Sequence, residues 1–217
     1  MNIKLVSEVS IDGKITFGRG ESSKELFTLL TEEDMKFIHA IRGEVDGILV
    51  GMNTIRNDNP SLTCRYDMGE NPIRLVPTVS LDLPENSTIL QDGVATILLT
   101  TENNRTKAKA YDSYPNVRFV FAGEEQVDFE KAFAILEADY GIHSIMLEGG
   151  GSLNWTLIQK QMVNEMVVIR LPIIIGGKNN VSLVDGDGFK QCAASRKFEL
   201  KALEFRKGVV IENYVVA

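Results

Sequence analysis

The chain is poor in the residues that metal and disulfide chemistry require. Its 217 residues include two cysteines, Cys64 and Cys192, and two histidines, His39 and His143. They lie far apart, with no Cys or His at metal-ligand spacing, so neither a zinc site nor a disulfide framework is indicated and no metal is expected. No serine or cysteine motif surrounds either histidine, which leaves a hydrolase triad without support. Basic residues are also short: 23 Lys and Arg against 30 Asp and Glu give a formal charge of −7. That balance offers no extended basic face to nucleic acid or to an anionic membrane. No apolar run reaches the roughly 18 to 20 residues of a membrane span. The opening "MNIKLVSEVSIDGK" has an acid where a signal peptide is continuously apolar, so the expected location is the cytoplasm. "DGDG", Asp185 to Gly188, suggests calcium only superficially. An EF-hand needs glycine at its sixth position and glutamate at its twelfth, and this chain has Lys190 and Arg196 there.

What remains is an ordinary globular composition, 44% hydrophobic and 24% charged, with no repeat, low-complexity tract or linker. A single domain over 1–217 is therefore expected. "IKLVSEVSIDGKITF" alternates as a strand does and breaks at Asp12-Gly13. "TEEDMKFIHAIR", Thr31 to Arg42, opens on an N-cap threonine and three acids and places Met35, Ile38 and Ile41 on one face of a helix. Short buried-strand runs follow at "VDGILVG", "PIRLVPTV", "ATILLT", "VRFVFA", "HSIMLE" and "EMVVIRLPIII". Helical stretches "FEKAFAILEADYG" and "LNWTLIQKQM" lie between the later ones. Strand and helix alternate, which indicates an α/β sheet. "FELKALEFRKGVVIENYVV" adds two strands joined by a Lys-Gly turn, a C-terminal antiparallel hairpin.

Two segments carry candidate chemistry. "IMLEGGGSLNWTLI" runs from a strand through three glycines into a helix, collecting unpaired backbone N–H groups and the positive end of a helix dipole at one point. This suits a phosphate or pyrophosphate. Gly149-x-Gly151-x-x-Asn154 lacks the third glycine of the dinucleotide fingerprint, so an ordinary Rossmann site is not indicated. Glu148, at the C-terminal end of the apolar strand, sits where ligands of α/β sheets bind. The second segment, "GMNTIRNDNPSLTCR", reads as a loop dense in turn residues, carrying Thr54, Arg56, Asp58, Asn59 and Arg65 directly after a buried strand.

Taken together, "VSIDGKI", "IRGEVDGILVGMNTIRNDNPSLTCR", "NPIRLV", "LEGGGSLNW" and "IIGGK" with "DGDGF" resemble, in order and spacing, the pyrimidine reductases of the riboflavin pathway. These are the stand-alone archaeal and fungal diaminopyrimidine reductases and the reductase domain of the bacterial deaminase-reductase. No deaminase zinc motif accompanies them. The resemblance implies a dihydrofolate-reductase-like mixed sheet flanked by helices, a homodimer, and NADPH-dependent reduction of a ribosylamino-pyrimidine 5′-phosphate to its ribitylamino form. It places the cofactor on Thr54, Asp58 and the turn Gly149, Gly150, Gly151, Ser152, Leu153 and Asn154. It places the substrate on Arg42, Leu62, Arg65 and Glu148, with Glu148 and Asp58 as the candidates for orienting it or relaying a proton. Two arginines suit a sugar phosphate.

The chain departs from the family pattern in places. Val6 stands where lysine or asparagine is usual, Glu8 replaces a small residue, and Thr78-Val79 replaces Asp-Ser. These departures leave open whether the substrate is the diamino compound or its deaminated uracil. They also leave open a paralogue reducing a pterin or dihydrofolate, and a nucleotide-binding protein without turnover. A 2′-phosphate, which separates NADPH from NADH, has a candidate place at Thr100-Thr101-Glu102.

Overall fold

A computed structural model describes residues 1–217. In chain order its elements are β1 (Asn2–Val9), α1 (Lys24–Phe27), α2 (Glu32–Gly43), β2 (Gly47–Val50), α3 (Met52–Asp58), β3 (Ile73–Pro77), α4 (Thr88–Gln91) and β4 (Thr96–Thr100). There follow α5 (Arg105–Ala108), β5 (Val117–Phe121), α6 (Phe129–Tyr140), β6 (Ser144–Gly149), α7 (Gly151–Gln159), β7 (Glu165–Arg170), β8 (Phe198–Arg206) and β9 (Val209–Val216). The chain divides into two compact units, one of Met1 with His39–Ile145, the other of Asn2–Ile38 with Met146–Ala217.

In the first unit the strands run β5-β4-β3-β2, all parallel. Strand β4 is buried at every residue, which is why Ile97, Leu98 and Leu99 run together between two buried threonines instead of alternating with exposed polar residues. Ile48, Val50, Val76 and Leu98 meet Ile55, Leu62 and Leu81 in one core cluster. In the second unit the order is β6-β1-β7-β9-β8. Strand β7 is parallel to β1 and antiparallel to β9, and β8 closes an antiparallel hairpin with β9. The α/β class and the C-terminal hairpin are thus as expected. No helix is long and apolar enough to cross a membrane.

Thr31 caps α2 as its sequence suggests. Its hydroxyl accepts from the Asp34 N–H at 3.2 Å, and the Asp34 carboxylate accepts the Thr31 N–H at 2.9 Å, a reciprocal pairing that satisfies two donors of the helix start.

Two sequence expectations fail locally. The "MNTIRNDNP" segment is not a loop: Met52–Asp58 is a helix, α3, closed by Asn59 in the left-handed region at φ 40. Its turn-forming residues serve as helix punctuation, an αL C-cap followed by Pro60, which cannot continue a helix. Strand β7 stops at Arg170 rather than running on to Ile175, because Pro172 supplies no N–H to a ladder. The backbone beyond it is held differently. The Asp12 carboxylate accepts the N–H groups of Ile175 at 3.0 Å and Gly176 at 2.7 Å and the Ser10 hydroxyl at 2.7 Å. Those bonds, the Ser10 hydroxyl's first, lower its pKa to about 2.

Candidate functional site

The candidate residues fall into two groups, one in each unit. In the first unit, α3 turns what was expected to be a loop into a scaffold. Thr54 and Asp58 are one helical turn apart and so share a face. Asp58 is buried, as is Ile55 beside it. Beyond the cap, Leu62 adopts φ 53, a left-handed conformation that costs a non-glycine residue roughly 1–2 kcal/mol. Its side chain lies in the core cluster with Ile48, Ile55 and Val76. Any ligand contact from Leu62 must therefore come from its backbone, which the sequence alone did not distinguish.

Arg42 and Arg65 are brought to the same segment. The Arg42 guanidinium donates to the Thr63 carbonyl at 2.7 Å, and that of Arg65 to the Ser61 hydroxyl at 3.2 Å. Between them sits His39, a residue to which the sequence assigned no role. Its Nδ1 accepts the backbone N–H of Arg65 at 3.1 Å, and its ring meets Tyr66 edge-on with centroids 5.3 Å apart. Burial, then the positive charges of Arg42 and Arg65, push the His39 pKa down to about 4. A neutral imidazole accepts the Arg65 N–H and adds no third charge beside two guanidiniums, a suitable arrangement if those cations are kept for an anion. The only sequence signal for it was its place three residues before Arg42 on the helix.

At the C-terminal ends of β3 and β4, Thr78 is buried and its hydroxyl accepts the Leu81 N–H at 3.1 Å. It closes a turn where the family pattern has an acid. Thr101 is buried, while Glu102 pairs with Arg105 at 2.7 Å and Lys131 at 3.2 Å. The acid that opposed a phosphate at Thr100-Thr101-Glu102 is therefore matched by two cations.

In the second unit, Glu148 is half-buried at the end of β6, and the next two residues, Gly149 and Gly150, have φ 80 and φ 76. Helix α7 starts at Gly151 with Gly150 as its N-cap and no side chain capping it. The N–H groups of Gly151, Ser152 and Leu153 therefore form its first turn, the end that attracts anions. Ser152 is exposed, and Leu153 and Asn154 are buried.

Two of the three glycines answer to the protein's own chain. A Cβ on Gly149 would lie 2.7 Å from Asn154 Oδ1 and 2.8 Å from its Nδ2. A Cβ on Gly151 would meet the Ser182 carbonyl, and Asp185 at 2.8 Å. The segment Val181–Asp185 is strapped across the start of α7. Asn154 Nδ2 donates to the Leu183 carbonyl at 2.7 Å, and the Asp185 N–H to the Gly151 carbonyl at 3.0 Å. Toward the other side, Leu183 N–H reaches Gly13 O at 3.0 Å and Lys14 Nζ reaches the Ser182 hydroxyl at 3.0 Å. Asn154 is thus first a clamp on this strap, and its Oδ1 is buried with no hydrogen-bond partner. Nothing in the periodicity of "NNVSLVDGDG" announced the strap.

A Gly149→Ala substitution tests this packing. The positive φ and the 2.7 Å approach together are expected to cost about 2–3 kcal/mol, read as a lower urea midpoint. An unchanged midpoint contradicts the close fit.

Residues 2–211 match the family model described as the RibD C-terminal domain. A protein of Aquifex aeolicus is 45% identical over 86% of this chain and 84% of its own length, and one of Methanothermobacter thermautotrophicus is 34% identical over 91% and 89%. Both are named 2,5-diamino-6-ribosylamino-4(3H)-pyrimidinone 5′-phosphate reductase. Among solved structures, Acinetobacter baumannii RibD superimposes over the whole chain with a TM-score of 0.80 at 17% identity, this chain spanning 58% of its length. The Saccharomyces riboflavin biosynthesis reductase Rib7 superimposes with a TM-score of 0.73 at 20% identity, over 90% of its length. At those identities the structural likeness concerns the fold, while the sequence match settles membership: the chain belongs to the RibD C-terminal domain family.

Proposed function

We propose that this chain is an NADPH-dependent reductase of riboflavin biosynthesis. It converts 2,5-diamino-6-ribosylamino-4(3H)-pyrimidinone 5′-phosphate to the ribitylamino product and works as a cytoplasmic homodimer. The observation that carries the reading is the 45% identity, over 86% of the chain, to the Aquifex protein of that name. The names of the Aquifex and Methanothermobacter relatives favour the diamino substrate over the uracil.

The residues suit an anionic dinucleotide. The α7 start offers first-turn N–H groups without a capping side chain, and Asn154 Oδ1 is a buried acceptor without a donor. In this reading Gly149–Asn154, with Thr54 and Asp58, hold the cofactor, which when bound supplies the hydride. Arg42 and Arg65 hold the sugar phosphate through charge-assisted bonds. Leu62 presents backbone groups to the substrate, and Glu148 and Asp58 orient it and hold or deliver the proton that completes the reduction.

The test is NADPH oxidation measured side by side with the diamino phosphate, the deaminated uracil phosphate and dihydrofolate. Turnover of the diamino compound at a kcat/KM about tenfold or more above the others is expected, a margin of roughly 1.4 kcal/mol. Preference for dihydrofolate would move the chain to the pterin-type reading. Tight NADPH binding without oxidation of any of the three would make it a nucleotide-binding protein.

A further inference from the structure

The last turns of α2 place His39 and Arg42 three positions apart, and so on one face of the helix. From that face the Arg42 guanidinium donates to the Thr63 carbonyl at 2.7 Å, and His39 Nδ1 accepts the Arg65 N–H at 3.1 Å. Those two backbone groups flank Cys64, so the helix takes hold of the chain on both sides of one residue. Cys64 is fixed as well. Its N–H donates to Asn71 Oδ1 at 2.9 Å, and its Sγ lies 3.3 Å from the His39 carbonyl. A Cβ on Gly43, at the end of α2, would meet that sulfur at 3.2 Å and the Met68 carbonyl closer still. The helix end therefore packs on this segment with no room for a side chain. Tyr66 and Asp67, next in the chain, have φ 63 and φ 56, a left-handed conformation that residues other than glycine seldom adopt. The backbone is thus bent sharply right after Arg65, and what holds it there is the α2 face.

We infer that His39 is a positioning residue for the phosphate end of the substrate: by holding the Arg65 backbone through Nδ1, it sets where the Arg65 guanidinium stands. The inference rests on the proposed function, which puts the sugar phosphate on Arg42 and Arg65. Arg65 is exposed and its guanidinium meets the Ser61 hydroxyl at 3.2 Å, so the aim of its fork comes chiefly from its backbone. A guanidinium that grips a phosphate with two arms depends on its angle of approach. His39 suits the task because it is 2% exposed and neutral. Burial first, then the charges of Arg42 and Arg65, keep a proton off the ring down to about pH 4. With Nδ1 accepting, the hydrogen of the neutral ring is on Nε2. A lysine or arginine at this position could not accept the N–H and would add a third cation, while a leucine would leave the N–H unpaired. Asparagine sets its Oδ1 where Nδ1 stands, whereas the longer glutamine carries its amide past that point.

Steady-state kinetics with the diamino phosphate and with its dephosphorylated form test the role. His39→Gln is expected to raise the KM for the phosphate about 10-fold. It should leave kcat, the KM for NADPH and the kcat/KM for the dephosphorylated form within about twofold, because only the phosphate grip is displaced. His39→Asn, which keeps the acceptor, should stay within about threefold of the wild type on every measure. His39→Leu, apolar and suited to a buried site, replaces the glutamine variant with the same expectation if that one fails to fold. Arg65→Ala separates the role from the assignment beneath it. An unchanged KM for the phosphate in Arg65→Ala takes the phosphate off that residue and overturns the assignment, and the role with it. With that KM raised, the assignment stands and three results overturn the role alone. They are His39→Gln matching the wild type, His39→Gln impairing both substrates equally as a general structural loss would, and His39→Asn as impaired as His39→Gln.

Discussion

Glu148→Gln is expected to lower kcat for the diamino phosphate by roughly 10²- to 10⁴-fold, the range that loss of a positioned acid or base removes. Glutamine keeps the length and one acceptor of the side chain but can neither take nor give the proton. The carboxylate stands at the end of β6, half-buried, with the backbone turning away immediately after it at Gly149. A group in that position is fixed by its strand rather than by a loop, so the substitution should leave the fold intact and the melting temperature close to that of the wild type. The KM for NADPH should also hold, since the phosphates are assigned to the turn that follows. An unchanged rate of NADPH oxidation with substrate present would remove Glu148 from the chemistry. A raised KM with full kcat would reduce it to a binding contact.

The α/β class and most strands were legible because buried parallel strands carry unbroken apolar centres, as Ile97–Leu99 in "ATILLT" and Ile145–Leu147 in "HSIMLE" do. Helix α3 was not legible for a physical reason. Seven residues hold too few turns for a hydrophobic period, and its Asn, Asp and Pro also belong to loops. Only the Asn59-Pro60 pair, an αL cap and a stop, marked its end.

The glycine turn was legible as a place where side chains had been removed, but only part of the cause was. Gly149 gives way to Asn154, and Gly151 gives way to the Val181–Asp185 strap. The first contact spans five residues but depends on how the helix turns back on the glycine, and the second joins positions about thirty residues apart, so local sequence reveals neither. The strap leaves the first-turn N–H groups of α7 without a capping side chain, so the turn keeps the character that suggested an anion. His39 was missed because a buried neutral histidine looks, in sequence, like any core residue. What it does depends on Arg65 reaching its Nδ1 across 26 positions.

Arg74 supplies the other large effect, and it concerns what keeps the first unit folded. Its side chain is 0% exposed on β3 and pairs with Asp92, 27% exposed, just after α4. The bond is bidentate, with one arm at 2.7 Å, and the Arg74 Nε is buried without an acceptor. A guanidinium so enclosed cannot shed its proton, so the carboxylate is what makes its burial tolerable. Asp92→Ala should therefore destabilise the protein by about 3 kcal/mol, the lower end of the 3–5 kcal/mol range for breaking a buried pair, because Asp92 keeps some contact with water. Arg74→Met in the same chain should recover most of that loss, since an apolar side chain of similar length leaves no uncompensated charge. The effect has a definite pH sign. The hydrogen bond from Arg74, the largest cause, holds the Asp92 carboxyl below its ordinary value. The pair's contribution is thus complete above the unfolded carboxyl pKa of about 3.9 and fades as pH falls through the folded value. Urea unfolding at pH 7 and again near pH 3 should show the gap between wild type and Asp92→Ala narrowing at the lower pH. A gap that is absent at pH 7, or that widens in acid, would show that the pair does not carry this stability.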